Sequence, residues 1–350
     1  QARGDFVTVH DSDDWSHPEK IARQIQPLLQ DAALKATYSS WVRVLPDVTF
    51  VGSWYLNDVF VEKNHSSLLL RRQTLQQTGL WDAVNVAADT EFMWRLELHF
   101  GQRAIQHVLP EAPLSFALSD DSSLTPTKAS QVKTIHYGLR RLYREASRWW
   151  HRQHQHGGVL APGSRPFPLP LGIVRNSPRQ FDCLLVADFA SSDDAQIAKV
   201  LAEAAKRLNA GQRLSLFHWP AFMQFHGAEI KDQVFAFCQQ HQLQFCHAGI
   251  EITCPLILLA DASLLDYVPD QVVVVQGVKQ VADLSGKALA DQATWRALWR
   301  SGSYQGAPGS QAAARPVLAD APPIKQLFSK QTLHPALPAP RWQRNRLPVH

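Results

Sequence analysis

No apolar run in this chain reaches the roughly 18 residues that a bilayer-spanning helix requires. The longest, CPLILLADASLL, is interrupted by Asp261. The four cysteines all lie in the second half, and none forms a C-x-x-C pair. That spacing gives neither a zinc knuckle nor a disulfide framework. Free thiols fit a reducing, cytoplasmic setting. G-x-G-x-x-G, P-loop and G-x-S-x-G signatures are missing too, so dinucleotide binding and serine-hydrolase chemistry have no motif support. A net charge of +4 over 350 residues is too mild to argue for a nucleic-acid partner.

What is present reads as two α/β regions. Residues 1–150 form the first unit. DFVTVH reads as a buried strand, and SHPEKIARQIQPLLQ as a helix. Ser16 is its N-cap candidate, Glu19 completes a capping box and Pro18 lies in the first turn. Ile21, Ile25, Leu28 and Leu29 would share its buried face. TYSSWVRVLPDVTFV and HSSLLLRR read as strands, and DTEFMWRLELHFG as a helix with an acidic first turn that stops at Gly101. A long amphipathic helix is expected over Ser130–Trp150, its polar side rich in arginine. Residues 151–179, rich in Pro, Gly and His, read as a linker. Residues 180–300 alternate strand and helix, with QVVVVQG as the last strand, which predicts a smaller parallel, Rossmann-like sheet. Residues 301–350 read as a Pro/Ala-rich tail.

Two acidic clusters carry chemistry. In VTVHDSDDW, Asp11, Asp13 and Asp14 follow a strand end. Clustered carboxylates repel one another unless water or a cation separates them. Hard oxygen ligands in that position suit Mg²⁺ or Mn²⁺. The plainer explanation is an aspartate-rich turn that favours the following helix. In ADTEFMWRL, Asp89 and Glu91 open a helix, with Arg95 one turn later. An acid there can take a proton from a sugar hydroxyl. Alternatively, Glu91 and Arg95 form an ordinary i,i+4 pair.

ARGDFVTVHDSDDWSHPEKIARQI resembles the middle of a family 2 glycosyltransferase of the GT-A fold. NHSSLLLRRQTLQQTGLWDAVNVAADTEFMWRL resembles that family's second half: an asparagine, an apolar strand ending in arginines, a helix ending in G-x-W-D, then an acidic motif and an arginine. Order and spacing agree over roughly residues 1–118. The resemblance implies a GT-A-like mixed sheet, a divalent cation (Mn²⁺ or Mg²⁺) on Asp11 and Asp13, and a nucleotide-sugar donor. Asp89 then matches the catalytic base, Glu91 is its substitute, and Arg95 belongs to the donor-binding set. Trp81, Asp82 and Asn64 would line the pocket for a glycan or lipid-linked acceptor. Ala88 departs from the pattern, which usually has glutamate there. A Q-x-x-R-W motif is not evident, so limited sugar transfer is expected, not polymerisation. The chain starts at Gln1 just before the first matched strand, so the expectation is a domain lacking the family's earlier strands.

The implied activity is metal-dependent, inverting transfer of a hexose in cell-envelope polysaccharide synthesis. Two rivals stand beside it: a non-catalytic glycan-binding or assembly module on the same fold, and a D-x-D phosphotransferase of the haloacid-dehalogenase type. The latter wants Thr or Val after the second acid, where this chain has Asp14 and Trp15. The basic helix could contact the inner face of the plasma membrane, or simply be solvated. Asp188, His218 and His247, at strand ends of the second region, are where its ligands would sit.

Overall fold

The computed structural model describes residues 3–52, 59–119, 132–154, 158–221, 228–266, 268–269 and 271–303. The Pro/Ala-rich tail from residue 304 onward and Ser130 lie outside the described residues. The chain folds as mixed α/β, with one mixed sheet and a separate parallel sheet.

The first region runs β1 (Phe6–Thr8), β2 (Trp15–Ser16), α1 (Lys20–Gln30), β3 (Ala36–Val44), β4 (Phe50–Val51), β5 (Glu62–Arg71), α2 (Thr74–Thr78), α3 (Ala88–Phe100), β6 (Ile105–His107), β7 (Pro113–Leu118) and α4 (Leu139–Arg152). Its strands order as β1-β5-β3-β7-β2, with β4 and β6 also pairing to β3. β5 is antiparallel to β1 and β3, whereas β7 runs parallel to β3. The register slips between Thr37 and Ser39 on β3.

Three local features depart from the sequence expectation. Ser16 does not cap α1: Trp15 and Ser16 pair with Phe116 and Ser115, and the helix starts at Lys20. The ladder to β7 outcompetes the capping box, and Ser16 Oγ instead accepts from Lys20 Nζ at 3.2 Å. Of the expected apolar face of α1 only Leu28 is fully buried. Ile21 is 48% and Leu29 67% exposed, while Lys20, Gln24 and Leu28 face inward. The sheet beneath offers polar partners: Gln24 Nε2 donates to Ser67 O at 2.8 Å, and Thr37 Oγ1 donates to Gln24 O at 2.9 Å. Finally, the long basic helix begins only at Leu139, because Gly138 breaks it with φ of 102°. A short 3₁₀ turn at Val132–Ile135 precedes it.

The second region contains β8 (Cys183–Ala187), α5 (Asp194–Asn209), β9 (Leu214–His218), α6 (Asp232–Gln240), β10 (Phe245–Cys246), β11 (Glu251–Thr253), β12 (Leu256–Leu259), β13 (Val274–Gln276), β14 (Gln280–Asp283) and α7 (Gln292–Ser301). A five-stranded sheet of order β10-β9-β8-β12-β14 is parallel throughout. QVVVVQG is not its last strand. It supplies β13, which pairs with β11 in a separate ladder, and β14 closes the sheet. All four cysteines are free and buried. Burial pushes the Cys246 thiol up to about 12, as befits core thiols.

Helix α4 ties the regions together. Its Leu142, Tyr143, Ala146 and Trp149 join the same apolar core as Leu185, Leu216 and Phe235. Residues 158–173 run in extended turns, with Leu160, Phe167, Leu169, Leu171 and Ile173 buried. Gly79 makes that path possible. Its φ is 79°, and a Cβ there would lie 2.2 Å from Leu160 O. Only glycine tolerates both the conformation and the approach.

Candidate active site

A cleft of about 1020 Å³ opens where β1 ends, β5 runs and α3 begins, with α4 as its far wall. Asp11, Asp13 and Asp14 come from the turn after β1, Asp89 from the first turn of α3, and Trp81 from the loop between α2 and α3. Sequence-distant acids therefore meet in one cavity. Ser66 on β5 connects them. Its hydroxyl, with one proton to give, lies 3.5 Å from Asp89 Oδ2 and within reach of the Asp11 carboxylate.

The acids bear the cost of proximity. Partial burial, then the Asp13 and Asp89 charges, raise the Asp11 pKa, against the Ser66 hydrogen bond. Asp14 is pushed up to about 6 by burial and by Asp11 and Asp13, with Arg43 opposing. Lys20 is 4% exposed on α1. Burial lowers its pKa, while the charges of Asp14 and Asp11 act to raise it. Like charges gathered this closely disfavour their own ionisation, and a cation relieves them. Among the described residues, no three His, Cys, Asp or Glu side chains gather closely enough to hold a metal ion by themselves.

Around Asp89 the backbone is unusual. Ala87, just before α3, adopts φ of 66°, a left-handed conformation costly for a residue with a Cβ. Asp89 Oδ1 accepts from Thr90 N at 2.8 Å. His65 Nδ1 approaches Thr90 Oγ1 at 3.4 Å. Burial lowers the His65 pKa, partly offset by the Asp89 charge. Trp81 packs on Phe92 with ring centroids 4.2 Å apart.

Four residues singled out from sequence do not line the cleft. Glu91 and Arg95 are both fully buried. Arg95 donates to Glu91 from Nε at 2.9 Å and from Nη2 at 2.8 Å, and His151 Nε2 lies 3.0 Å from Glu91 Oε1. Burial alone would raise the Glu91 pKa, but the bonds from His151 and Arg95 outweigh it and hold the carboxyl low. Arg95 also donates to the carbonyls of Thr78 and Leu80. The pair thus fastens the loop that carries Trp81. Asp82 is buried as well, accepting from Tyr143 Oη at 3.1 Å and from Arg165 Nη1 at 2.9 Å. Asn64 is 1% exposed, and its carbonyl accepts from Ser67 Oγ at 2.6 Å.

Other cleft residues carried no sequence motif: Ser66, Arg43, Arg140 and Arg144. The i,i+4 spacing of Arg140 and Arg144 does place them on one helical face. The remaining arginines of α4 turn elsewhere. Arg141 pairs with Glu145 at 2.6 Å, Arg148 with Glu229 at 2.7 Å and Arg152 with Asp232 at 2.6 Å. Asp188 lines a small separate pocket with Asp261 and Gln196 at the ends of β8 and β12. His218 accepts the Phe189 N–H at 3.2 Å, and burial lowers its pKa to about 3.

No protein-family model matches this chain, and no curated protein resembles it at a significant level.

Proposed function

We propose that this chain is the catalytic part of a metal-dependent, inverting glycosyltransferase of GT-A type, moving a sugar from a nucleotide-sugar donor to a glycan or lipid-linked acceptor. One observation carries the reading: Asp11 of the first acidic motif and Asp89 of the second line a single cleft, with Ser66 between them. Neither capping of α1 nor an i,i+4 pair on α3 requires that meeting.

The donor set suits a divalent cation. Three carboxylates follow one strand end, and burial, reinforced by the Asp11 and Asp13 charges, keeps Asp14 near 6. Asp11 and Asp13 would hold Mn²⁺ or Mg²⁺, with diphosphate oxygens and water completing the shell, as is usual for such open sites. When bound, the ion supplies electrostatic stabilisation of the departing nucleoside diphosphate.

The protein's own residues do the rest. Asp89 accepts the proton of the acceptor hydroxyl as that oxygen attacks the anomeric carbon from the face opposite the leaving group. Ser66 and the Thr90 amide orient the Asp89 carboxylate. Trp81 forms the wall against which the acceptor sugar rests. Glu91 and Arg95 are positioning residues: a carboxylate enclosed by Arg95 and His151 has no route to an acceptor.

The test is release of nucleoside diphosphate from a panel of nucleotide-sugars by the intact protein, with and without Mn²⁺. Release that needs Mn²⁺ and disappears in Asp89→Asn supports the proposal. Hydrolysis of simple phosphate esters would identify a phosphotransferase instead, and inertness toward every donor would leave a binding module.

A further inference from the structure

The loop from Gly79 to Ala87 forms one wall of the cleft: Trp81, Val84, Asn85, Val86 and Ala87 all line it. Residues 158–173 run beside this loop as a strap and hold it at its start, middle and end. Leu160 N donates to Thr78 O at 3.2 Å, where Gly79 and Leu160 bridge. Arg165 Nη1 donates to Asp82 Oδ1 at 2.9 Å. Asn85 N donates to Ile173 O at 2.9 Å, and Asn85 Nδ2 to Gly172 O at 3.4 Å. The strap is fixed in turn to the second region. Leu171 N donates to Phe245 O of β10 at 2.8 Å, His247 Nε2 lies 3.0 Å from Leu171 O, and Gln239 Nε2 of α6 donates to Arg165 O at 2.7 Å.

The loop ends in the same core as that region. Val86 and Ala87 are buried with Ile173 of the strap and with Leu185 and Leu216 of the parallel sheet. Ala87 keeps its left-handed φ of 66° there, and such backbone persists only where the surroundings over-determine it. The middle of the loop depends on charge. The Asp82 side chain is 1% exposed and that of Arg165 39%. Removing one partner leaves a buried carboxylate without its cation, and the cost falls on the residue next to Trp81.

We propose that the second region is the scaffold that sets the acceptor wall of the cleft, with Arg165 as a positioning residue that acts through Asp82 on Trp81. The word acceptor rests on the glycosyltransferase reading, whereas the coupling of wall to scaffold stands on the strap contacts themselves.

The experiment is fluorine NMR on the intact protein labelled with 5-fluorotryptophan, the Trp81 resonance being assigned from a Trp81→Phe variant. Arg165→Ala should shift or broaden the Trp81 resonance and leave in place that of Trp299, which is buried in the separate core that holds Leu184 and Val186. Arg165→Lys should retain the parent position. In Asp82→Asn, where the buried charge is gone, adding Arg165→Ala should change little more. An unchanged Trp81 resonance in Arg165→Ala, or equal movement of Trp299 in the folded variant, overturns the coupling. Should Arg165→Ala misfold, hydrogen exchange of the unaltered protein in rising urea decides: peptides covering 79–87 and 158–173 should lose protection together, and earlier release of the loop overturns the proposal. In a sugar-transfer assay Arg165→Ala should raise the acceptor KM by about tenfold or more with kcat little changed, and a fall in kcat alone overturns action through Trp81. A Trp81 response in a protein that transfers no sugar supports the coupling and overturns the glycosyltransferase reading alone.

Discussion

Replacing Glu91 by alanine separates a buttress from a catalyst. Glu91 accepts two bonds from Arg95, at 2.9 and 2.8 Å, and lies 3.0 Å from His151 Nε2, with no exposed surface. Its removal leaves the Arg95 charge in the interior. Carbonyls of Thr78 and Leu80 still satisfy part of the guanidinium, but nothing balances its charge locally. Breaking one partner of a buried pair costs about 3–5 kcal/mol. Whole domains have only about 5–15 kcal/mol in hand, so Glu91→Ala should lose a large share of its stability. Urea denaturation followed by tryptophan fluorescence should show the midpoint falling with an unchanged slope. The pH dependence follows from a depressed carboxyl. Its stabilisation is present above the ordinary glutamate value of 4.5 and is lost as pH falls through the lower folded value. The acid limb should therefore be shallower in Glu91→Gln than in the parent. A Glu91→Ala variant within about 0.5 kcal/mol of the parent, the scatter of ordinary surface changes, would refute the reasoning. Lost sugar transfer at full stability would restore Glu91 as a candidate base.

Two further outcomes follow from the site and its supports. Asp14→Asn should raise the melting temperature at pH 7.5 in chelator, because a carboxyl held near 6 is destabilising when ionised. The gain should shrink as pH falls from 6 toward 4, where the parent's Asp14 is itself protonated, and Mn²⁺ should narrow it too. Gly79→Ala should destabilise by about 3 kcal/mol or more in a denaturation curve, since the side chain meets Leu160 O in a backbone region reserved for glycine.

The acidic site was legible where local sequence dictates direction. Asp11 and Asp13 lie in the turn that follows β1, and Asp89 in the first turn of α3, so each emerges beside an element terminus. Glu91 sits two residues further round the α3 turn, and that rotation carries it into the interior beside His151, a partner remote in sequence. The gathering of Asp11, Ser66 and Asp89 in one cleft depended on the pairing of β1 with β5, which no local pattern encodes. Hydrophobicity misjudged α1 because the sheet below it presents the Ser67 and Thr37 carbonyls, and a glutamine side chain donates to those where leucine cannot. In the second region, the parallel sheet was readable from its alternation. β14 was not, because QVAD is short and its place depends on β12.

The central claim is that Asp11 and Asp13 engage the donor through a divalent ion. Calorimetric binding of nucleotide-sugars to the intact protein, with Mn²⁺ and after chelation, in the parent and in a variant carrying Asp11→Ala and Asp13→Ala, tests it directly. The account predicts donor binding by the parent with Mn²⁺ and its loss in the other three arms. Equal affinity in all four would contradict it.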